Sequence, residues 1–410
     1  MKFTYNLINY EINSFTYKFL FLLFFSFILL SVSGCRSDDK LTNSIKISAG
    51  YIDNFSKPNG MFDYEVNMAT GKVSDRNYNI LRHSGTIYAL ANYYIEYKDS
   101  KSLKTLRQAT HYLKTCCVKP VEDKKDILGI WSIKSINKSM PSSQLKLGGT
   151  GLGLVALLSM EKINPGTTDT DILRKLGNFI LYLQKEDGSF YSKYIPSTVG
   201  RDDSWTSLYY PGEAALGLVM LYEYDPQPKW FDHALKALIY LSELRKNEKN
   251  VPPDHWALLA TAKLIEISNE RNISIPKELI IDHGKQVVNG IIKGIPAIKK
   301  TDRRYGCLTR DCRTTPSSTR LEGLIAFYNV LEPKDNELKE TIARVSQNGI
   351  EFLIWAQIKE GKYKGAIPVG LLGDNNQLNN ITGRQAIVRI DYVQHALSAF
   401  LDYQRVFRKI

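Results

Sequence analysis

From about residue 78 onward the chain alternates between two kinds of helical segment, and that alternation restricts it to very few architectures. Apolar residues recur at helical spacing in stretches separated by Gly, Pro, Asp and Ser clusters. The pattern predicts helices at 79–98, 100–117, 146–162, 168–185, 211–224, 228–245, 253–269, 276–294, 317–331, 335–356 and 384–406. Every second segment, counting from the first, is rich in Gly and Ala, apolar on most sides and polar only near its start, as in LGGTGLGLVALLSM and YPGEAALGLVMLYE. Helices of that kind are buried all round. The intervening segments, such as KDNELKETIARVSQNGIEFLIWAQ, carry Lys and Glu on one face and belong outside. His83, Gly149, Glu213, His255, Arg320 and Asp391 mark corresponding points on the inner set and recur on average about every 62 residues, one helical hairpin each. Six inner helices close a ring. The predicted fold is therefore all-α, an (α/α)6 toroid with short β-hairpin or strand excursions in its loops. Its sixth outer helix is missing, degenerate, or supplied by the stretch 40–70.

Composition agrees with a large buried core: the chain is 43% hydrophobic and 23% charged, which excludes collagen-like, mucin-like and coiled-coil chains. The formal net charge is +12, but the basic residues are scattered and form no polybasic tail or nucleic-acid module. The excess suits an anionic partner or surface, and no nucleic acid is expected.

Residues 1–34 read as an export signal. Lys2 and Lys18 precede the uncharged run FLFLLFFSFILLSV, which at about 14 residues is short for a bilayer span. Val32-Ser33-Gly34-Cys35 resembles a bacterial lipobox, in which the cysteine is lipidated and becomes the first residue of the mature chain. That resemblance implies a palmitate-bearing lipoprotein signal peptide and a lipid anchor at Cys35, holding a domain against a membrane of the bacterial cell envelope on its periplasmic or extracellular face. An uncleaved anchor with a chance cysteine is the alternative. Residues 35–50 read as a polar tether and 51–410 as a single toroid domain. In an oxidising compartment Cys307 and Cys312 are able to close a small loop, whereas the adjacent Cys116 and Cys117 suit a helix end. Neither Cys-x-x-Cys nor His-Glu-x-x-His occurs, so no metal and no cofactor is expected.

An internal echo supports the ring. Phe179-Ile180-x3-Gln184-x3-Gly188-Ser189-Phe190 and Phe352-Leu353-x3-Gln357-x3-Gly361-Lys362-Tyr363 share one pattern at the ends of two outer segments. They resemble the Gln/aromatic repeats of terpenoid cyclases and other α/α toroids, although the Asp-x-Asp-Asp motif of the protonating cyclases is absent. With Leu81-Arg-His-Ser-Gly85-Thr and Tyr210-Pro-Gly-Glu213-Ala-Ala-Leu, the chain from 78 to 406 resembles the six-hairpin glycosidase-like superfamily. That resemblance implies a carbohydrate substrate and one of three chemistries: glycoside hydrolysis, polysaccharide elimination or sugar epimerisation. Fold alone does not choose among them.

Parallel inner helices bring their polar starts to one rim of the cavity, the usual place for a ligand. The residues expected there to bind substrate are Arg82, His83, Asp203, Trp205, Tyr210, His255, Trp256, Arg320, Arg389 and His395. Glycoside hydrolysis needs two carboxyl groups, one protonated and one ionised. Glu213, Asp254, Glu322 and Asp391 are the candidates, with Glu213 and Asp254 the preferred pair because each stands beside an aromatic residue at a helix start. Each position also has a plainly structural reading. Glu213 follows Pro211 and suits the helix dipole. Asp254 follows Pro252-Pro253 and suits an N-cap. Arg320 with Glu322, Asp391 with His395 and Arg82 with His83 suit ion pairs or hydrogen bonds between helices. Asp203 and Trp205 suit a solvated loop.

The leading expectation is thus an exported, lipid-anchored glycoside hydrolase acting on an oligosaccharide or envelope polysaccharide. The alternatives are a lyase or epimerase using Arg, His and Tyr groups, or a glycan-binding envelope protein without catalysis. Carboxylates locked in ion pairs, with Arg and His facing the cavity, favour the lyase or epimerase.

Overall fold

A computed structural model describes residues 39–196, 199–372 and 383–408. Residues 1–34, read as an export signal, and Cys35 lie outside them, and among the described residues no helix is long and apolar enough to cross a membrane. Residues 44–408 belong to one compact unit.

Six helices form an inner ring: α2 (Ile80–Tyr97), α4 (Leu147–Ile163), α6 (Tyr210–Tyr224), α8 (His255–Glu270), α10 (Thr314–Tyr328) and α12 (Ile390–Phe407). Each packs on the next, and α12 packs back on α2. The outer layer is α1 (39–54), α3 (Ser100–Tyr112), α5 (Thr170–Leu183), α7 (Pro228–Arg245), α9 (Lys277–Lys293) and α11 (Asn336–Ala356). The two layers differ because their sequences do. In α4, 15 residues from Leu147 to Glu161 are buried without interruption, whereas α5 buries only one stripe, Leu173, Leu176, Gly177, Phe179, Ile180 and Leu183. Small residues let inner helices meet backbone to backbone: a Cβ on Gly151 would stand 2.7 Å from the Glu213 carbonyl oxygen.

The stretch read as a polar tether is helical from residue 39, and Ser44, Ile45 and Ser48 are fully buried. It supplies the sixth outer helix, between the end of α11 and the start of α3. Polar residues misled the tether reading because they serve as partners here. Gln357 Nε2 donates to Ser44 O at 3.0 Å and Ser48 Oγ at 2.7 Å, and Ser102 Oγ donates to Asp53 at 2.7 Å. The repeated Gln/Gly pattern explains the first contact. At the end of α5, Gln184 Nε2 donates to His233 O of the next outer helix at 3.0 Å, as Gln357 does to α1 at the end of α11. The turn that follows needs glycine. Gly188 has φ +94°, and a Cβ there would sit 2.6 Å from the Lys236 carbonyl of α7.

Among the described residues eight short strands fill the loops, β1 (Glu65–Asn67), β2 (Val73–Ser74), β3 (Val118–Val121), β4 (Lys124–Ser132), β5 (Gln144–Lys146), β6 (Lys193–Ile195), β7 (Gly200–Asp202) and β8 (Ile387–Arg389). They form two antiparallel sheets, β2-β1-β8 and β3-β4-β5-β6-β7. Strands β5 and β8 end one residue before α4 and α12, so the sheets decorate the rim where inner helices begin.

Two helix starts differ from the pattern reading. The segment 384–389, expected as helix, lies in a 3-10 turn (Gly383–Ala386) followed by β8, which pairs Arg389 with Glu65 of β1. Helix α10 begins at Thr314 rather than 317, because Pro316 falls in the first turn, where no backbone N–H is required. Cys307 and Cys312 form a disulfide, and Cys116 and Cys117 close α3 in a π-helical turn.

Candidate active site

The first turns of the inner helices converge on one cavity of about 370 Å³. Leu81 and Arg82 come from α2, Leu152 from α4, Tyr210 and Glu213 from α6, His255 and Trp256 from α8, Thr315 and Thr319 from α10, and Asp391 and His395 from α12. A second hollow of about 1030 Å³ opens at the other end of the ring, lined by late positions such as Ser159, Asn269 and Asn329. The second is lined by Lys, Glu and Asp side chains, whereas most of the aromatic residues and both histidines gather at the first.

Two histidines face each other there. The rings of His255 and His395 are 5.7 Å apart and nearly perpendicular, at 80°. His255 is buried, and neither of its ring nitrogens has a hydrogen-bond partner. Tyr209 and Trp256 hold the ring from two sides, each at 5.0 Å. Burial, reinforced by nearby His395, pushes the His255 pKa well below the ordinary value, so its imidazole is neutral at pH 7. His395 Nδ1 donates to Glu322 Oε1 at 2.8 Å. Burial opposes its charged form, yet Glu322 and then Asp391 outweigh it and raise its pKa. The two imidazoles are thus driven apart in proton affinity, the arrangement that separates a base from an acid.

Glu213 is the other group with an unusual environment. It is 4% exposed, its Oε2 has no hydrogen-bond partner, and burial, with a contribution from Asp254, pushes it up to about 8. It is therefore a neutral acid at pH 7. Gly148 makes room for it, since a Cβ at that position would fall on Oε2. Asp391 is ionised instead: despite burial, Arg82 and Arg389 hold its pKa below the usual carboxylate range. Arg389 binds it through two bonds of 2.6 and 3.0 Å, and Arg82 Nε lies 3.1 Å away.

Several residues expected in the site are elsewhere. Asp254 is 0% exposed, caps α8 by accepting from Ala257 N at 3.1 Å and forms a 2.9 Å ion pair with Arg245, so it does not face the cavity. The Glu213/Asp254 pairing fails for that reason. His83 is sealed among Phe62, Tyr78 and Tyr112. Its Nε2 donates to Ala109 O at 3.0 Å, its Nδ1 meets Tyr78 Oη at 2.8 Å, and burial lowers its pKa to about 4. Asp203 pairs with Lys185 on the surface, and Trp205 is 54% exposed, outside the lining, edge-on to Tyr210. Arg320 donates to Leu308 O and is likewise outside the lining. Glu322 lies behind His395 rather than in the cavity. Arg82, Tyr210, Glu213, His255, Trp256, Arg389, Asp391 and His395 do line it.

The sequence reading missed Tyr209, Arg313, Thr315, Thr319, Arg384 and Tyr392. Thr315 was hidden by placing the start of α10 three residues late. Arg384 stands in a 3-10 turn with no periodic signal. A metal-binding set was also invisible: one atom each from His255, Glu322 and His395 lie within 4.8 Å of one another, a donor set that suits a divalent cation.

No protein-family model and no curated relative matches the chain. Solved structures do. A sugar epimerase from a ruminal bacterium superposes with TM-score 0.65 at 11% identity, covering 92% of this chain and 99% of that one. D-mannose isomerase follows with 0.60 and 13%, covering 89% and 97%. The GH76A α-1,6-mannanase of Salegentibacter sp. HEL1_6 gives 0.58 and 11%, covering 90% and 99%. At these identities the likeness shows the fold alone, an α/α toroid.

Proposed function

We propose that this protein is a carbohydrate-active enzyme that isomerises or epimerises a sugar by moving a proton next to its carbonyl carbon. The observation carrying the reading is the His255/His395 pair, with opposite proton affinities at one cavity wall. In an open-chain aldose the C2–H bond is acidified by the C1 carbonyl. Neutral His255 takes the C2 proton while the His395 imidazolium gives its Nδ1- or Nε2-borne proton to O1. Glu322 fixes the Nδ1 proton, leaving Nε2 as the donor. The product is an enediol. Returning the proton to C1 while the now neutral His395 takes one from O2 yields the ketose, whereas returning it to the other face of C2 while His395 takes back the O1 proton yields the epimer. Protonated Glu213 is a hydrogen-bond donor to a substrate hydroxyl, and Trp256 and Tyr392 offer ring faces to the sugar's C–H surface.

A panel of neutral and acidic aldoses and ketoses incubated in D2O, followed by NMR, tests this: deuterium should enter at C2, and His255→Asn or His395→Asn should slow that exchange by about 10²–10⁴-fold. Added Zn2+ should inhibit by bridging the pair. Absence of exchange from every sugar, or exchange that survives loss of both histidines, refutes the assignment.

Glu213 supports a second reading, since a carboxylic acid held neutral to about 8 is what a glycosidase acid requires. Its weakness is the partner, because Asp391 is held by two arginines and Asp254 faces away. New reducing ends from an oligosaccharide, abolished by Glu213→Gln, would favour it. The lipid anchor at Cys35 completes the proposal, and labelled palmitate should be incorporated by the wild type but not by Cys35→Ser.

A further inference from the structure

The cavity wall carries four arginines, Arg82, Arg313, Arg384 and Arg389, against two carboxyl groups, Glu213 and Asp391. The balance is more uneven than that count. Glu213 is held neutral, which leaves Asp391 as the one anion on the wall among the described residues. Arg82 and Arg389 both bind that one carboxylate, so together they keep one uncompensated positive charge. Arg313 is matched outside the wall by Asp311. Arg384 is exposed at the rim, and no described carboxylate lies within ion-pair distance of it. A neutral sugar needs none of this. Guanidinium groups in an aromatic, partly enclosed pocket recognise planar or tetrahedral oxyanions through paired N–H donors.

We propose that the sugar processed at this site carries an anionic substituent, a carboxylate or a phosphate, bound by Arg384 and the Arg82/Arg389 pair while its carbonyl end meets the two histidines. This rests on the isomerase or epimerase reading of the same cavity. Arg384 supplies long-range attraction and a paired contact at the mouth. Arg82 and Arg389 are fixed by Asp391, so they present their remaining N–H groups without further ordering cost.

The experiment compares D-glucose and D-mannose with D-glucuronate and D-glucose 6-phosphate. Calorimetry reads binding, and deuterium uptake at C2 reads chemistry. The expected result is at least a tenfold preference in binding and in kcat/KM for one of the two anionic sugars over its neutral counterpart, and which one wins identifies the substituent. Arg384→Gln should cut that preference at least fivefold, chiefly through KM. Because Arg384 is exposed, the variant should keep the wild-type melting temperature. Equal handling of neutral and anionic sugars overturns the charge assignment while leaving proton transfer intact, as does a preference that Arg384→Gln and Arg389→Gln both leave unchanged. Tight binding of an anionic sugar without C2 exchange does the reverse: it supports the charge assignment and sinks the proton-transfer reading. Failure of all four sugars to bind overturns the proposal.

Discussion

Replacing Glu213 with Gln should stabilise the protein, and by an amount that depends on pH. The carboxyl is buried, its Oε2 lacks a partner, and the fold holds it protonated up to about 8 instead of its ordinary 4.5. An acid whose folded pKa is raised contributes fully below its unfolded value. That contribution is lost as pH climbs through the folded value. At about 1.4 kcal/mol per tenfold, the window from 4.5 to about 8 corresponds to about 4–5 kcal/mol by pH 9. Gln keeps the shape and a donor but does not titrate. The stability gap between variant and wild type should therefore open between pH 4.5 and 8 and level off above. With about 2 cal/mol/K of unfolding entropy per residue, a chain of this length shifts by a little over 1 °C per kcal/mol, so the gap should widen by about 5–6 °C. Urea and thermal unfolding of both proteins from pH 4 to 9 measure it, and taking the difference cancels every other titrating group. A gap that stays constant with pH means that Glu213 is ionised in the folded protein, and the reasoning from its burial is wrong.

Asp254→Asn should remove the ion pair with Arg245, leave that buried guanidinium unmatched and cost about 3 kcal/mol, while turnover per folded molecule is unchanged. A stable but inactive variant would return Asp254 to the chemistry. Glu322→Gln removes the carboxylate that most raises the His395 pKa, so the alkaline limb of the pH–rate profile should move to lower pH. A superimposable profile would mean that His395 is not the acid. Gln357→Ala deletes two buried hydrogen bonds to α1 and should cost about 2–3 kcal/mol, with hydrogen exchange rising first at residues 44–54. Uniform exchange along the chain would contradict that placement of α1.

The ring itself was legible because burial on all sides leaves a pattern that few other architectures produce. Leu147–Glu161 has no exposed face, and the hairpin repeat then counted the units. Residues 39–50 were misread for the opposite reason. Their serines and threonine look solvated in isolation, and only Gln357, more than 300 positions away, shows that Ser44 and Ser48 are interior partners. The same limit governed the site. Asp254 and Glu213 look alike at helix starts, but Arg245 captures the first, while Gly148 leaves the second unopposed. His395 was within reach as a helical neighbour of Asp391, yet its partner is Glu322 on the adjacent helix. Residue type and helix position thus pointed to the rim where the cavity opens. Which carboxylates remain available depends on cross-helix pairings that no linear spacing encodes.

The closure of α12 on α2, with α1 held by the turn after α11, sets the α1/α2 and α11/α12 hairpins side by side. No covalent link joins them there, so the circle stays open until the final helix has been made, and sealing it means bringing together parts of the chain several hundred residues apart. Because helices of the two layers run in opposite directions, α12 finishes at the mouth away from the two histidines. New termini cut into a turn at that far mouth, with the old ones spliced, would move the seam to a different hairpin and leave the sugar-facing rim uncut.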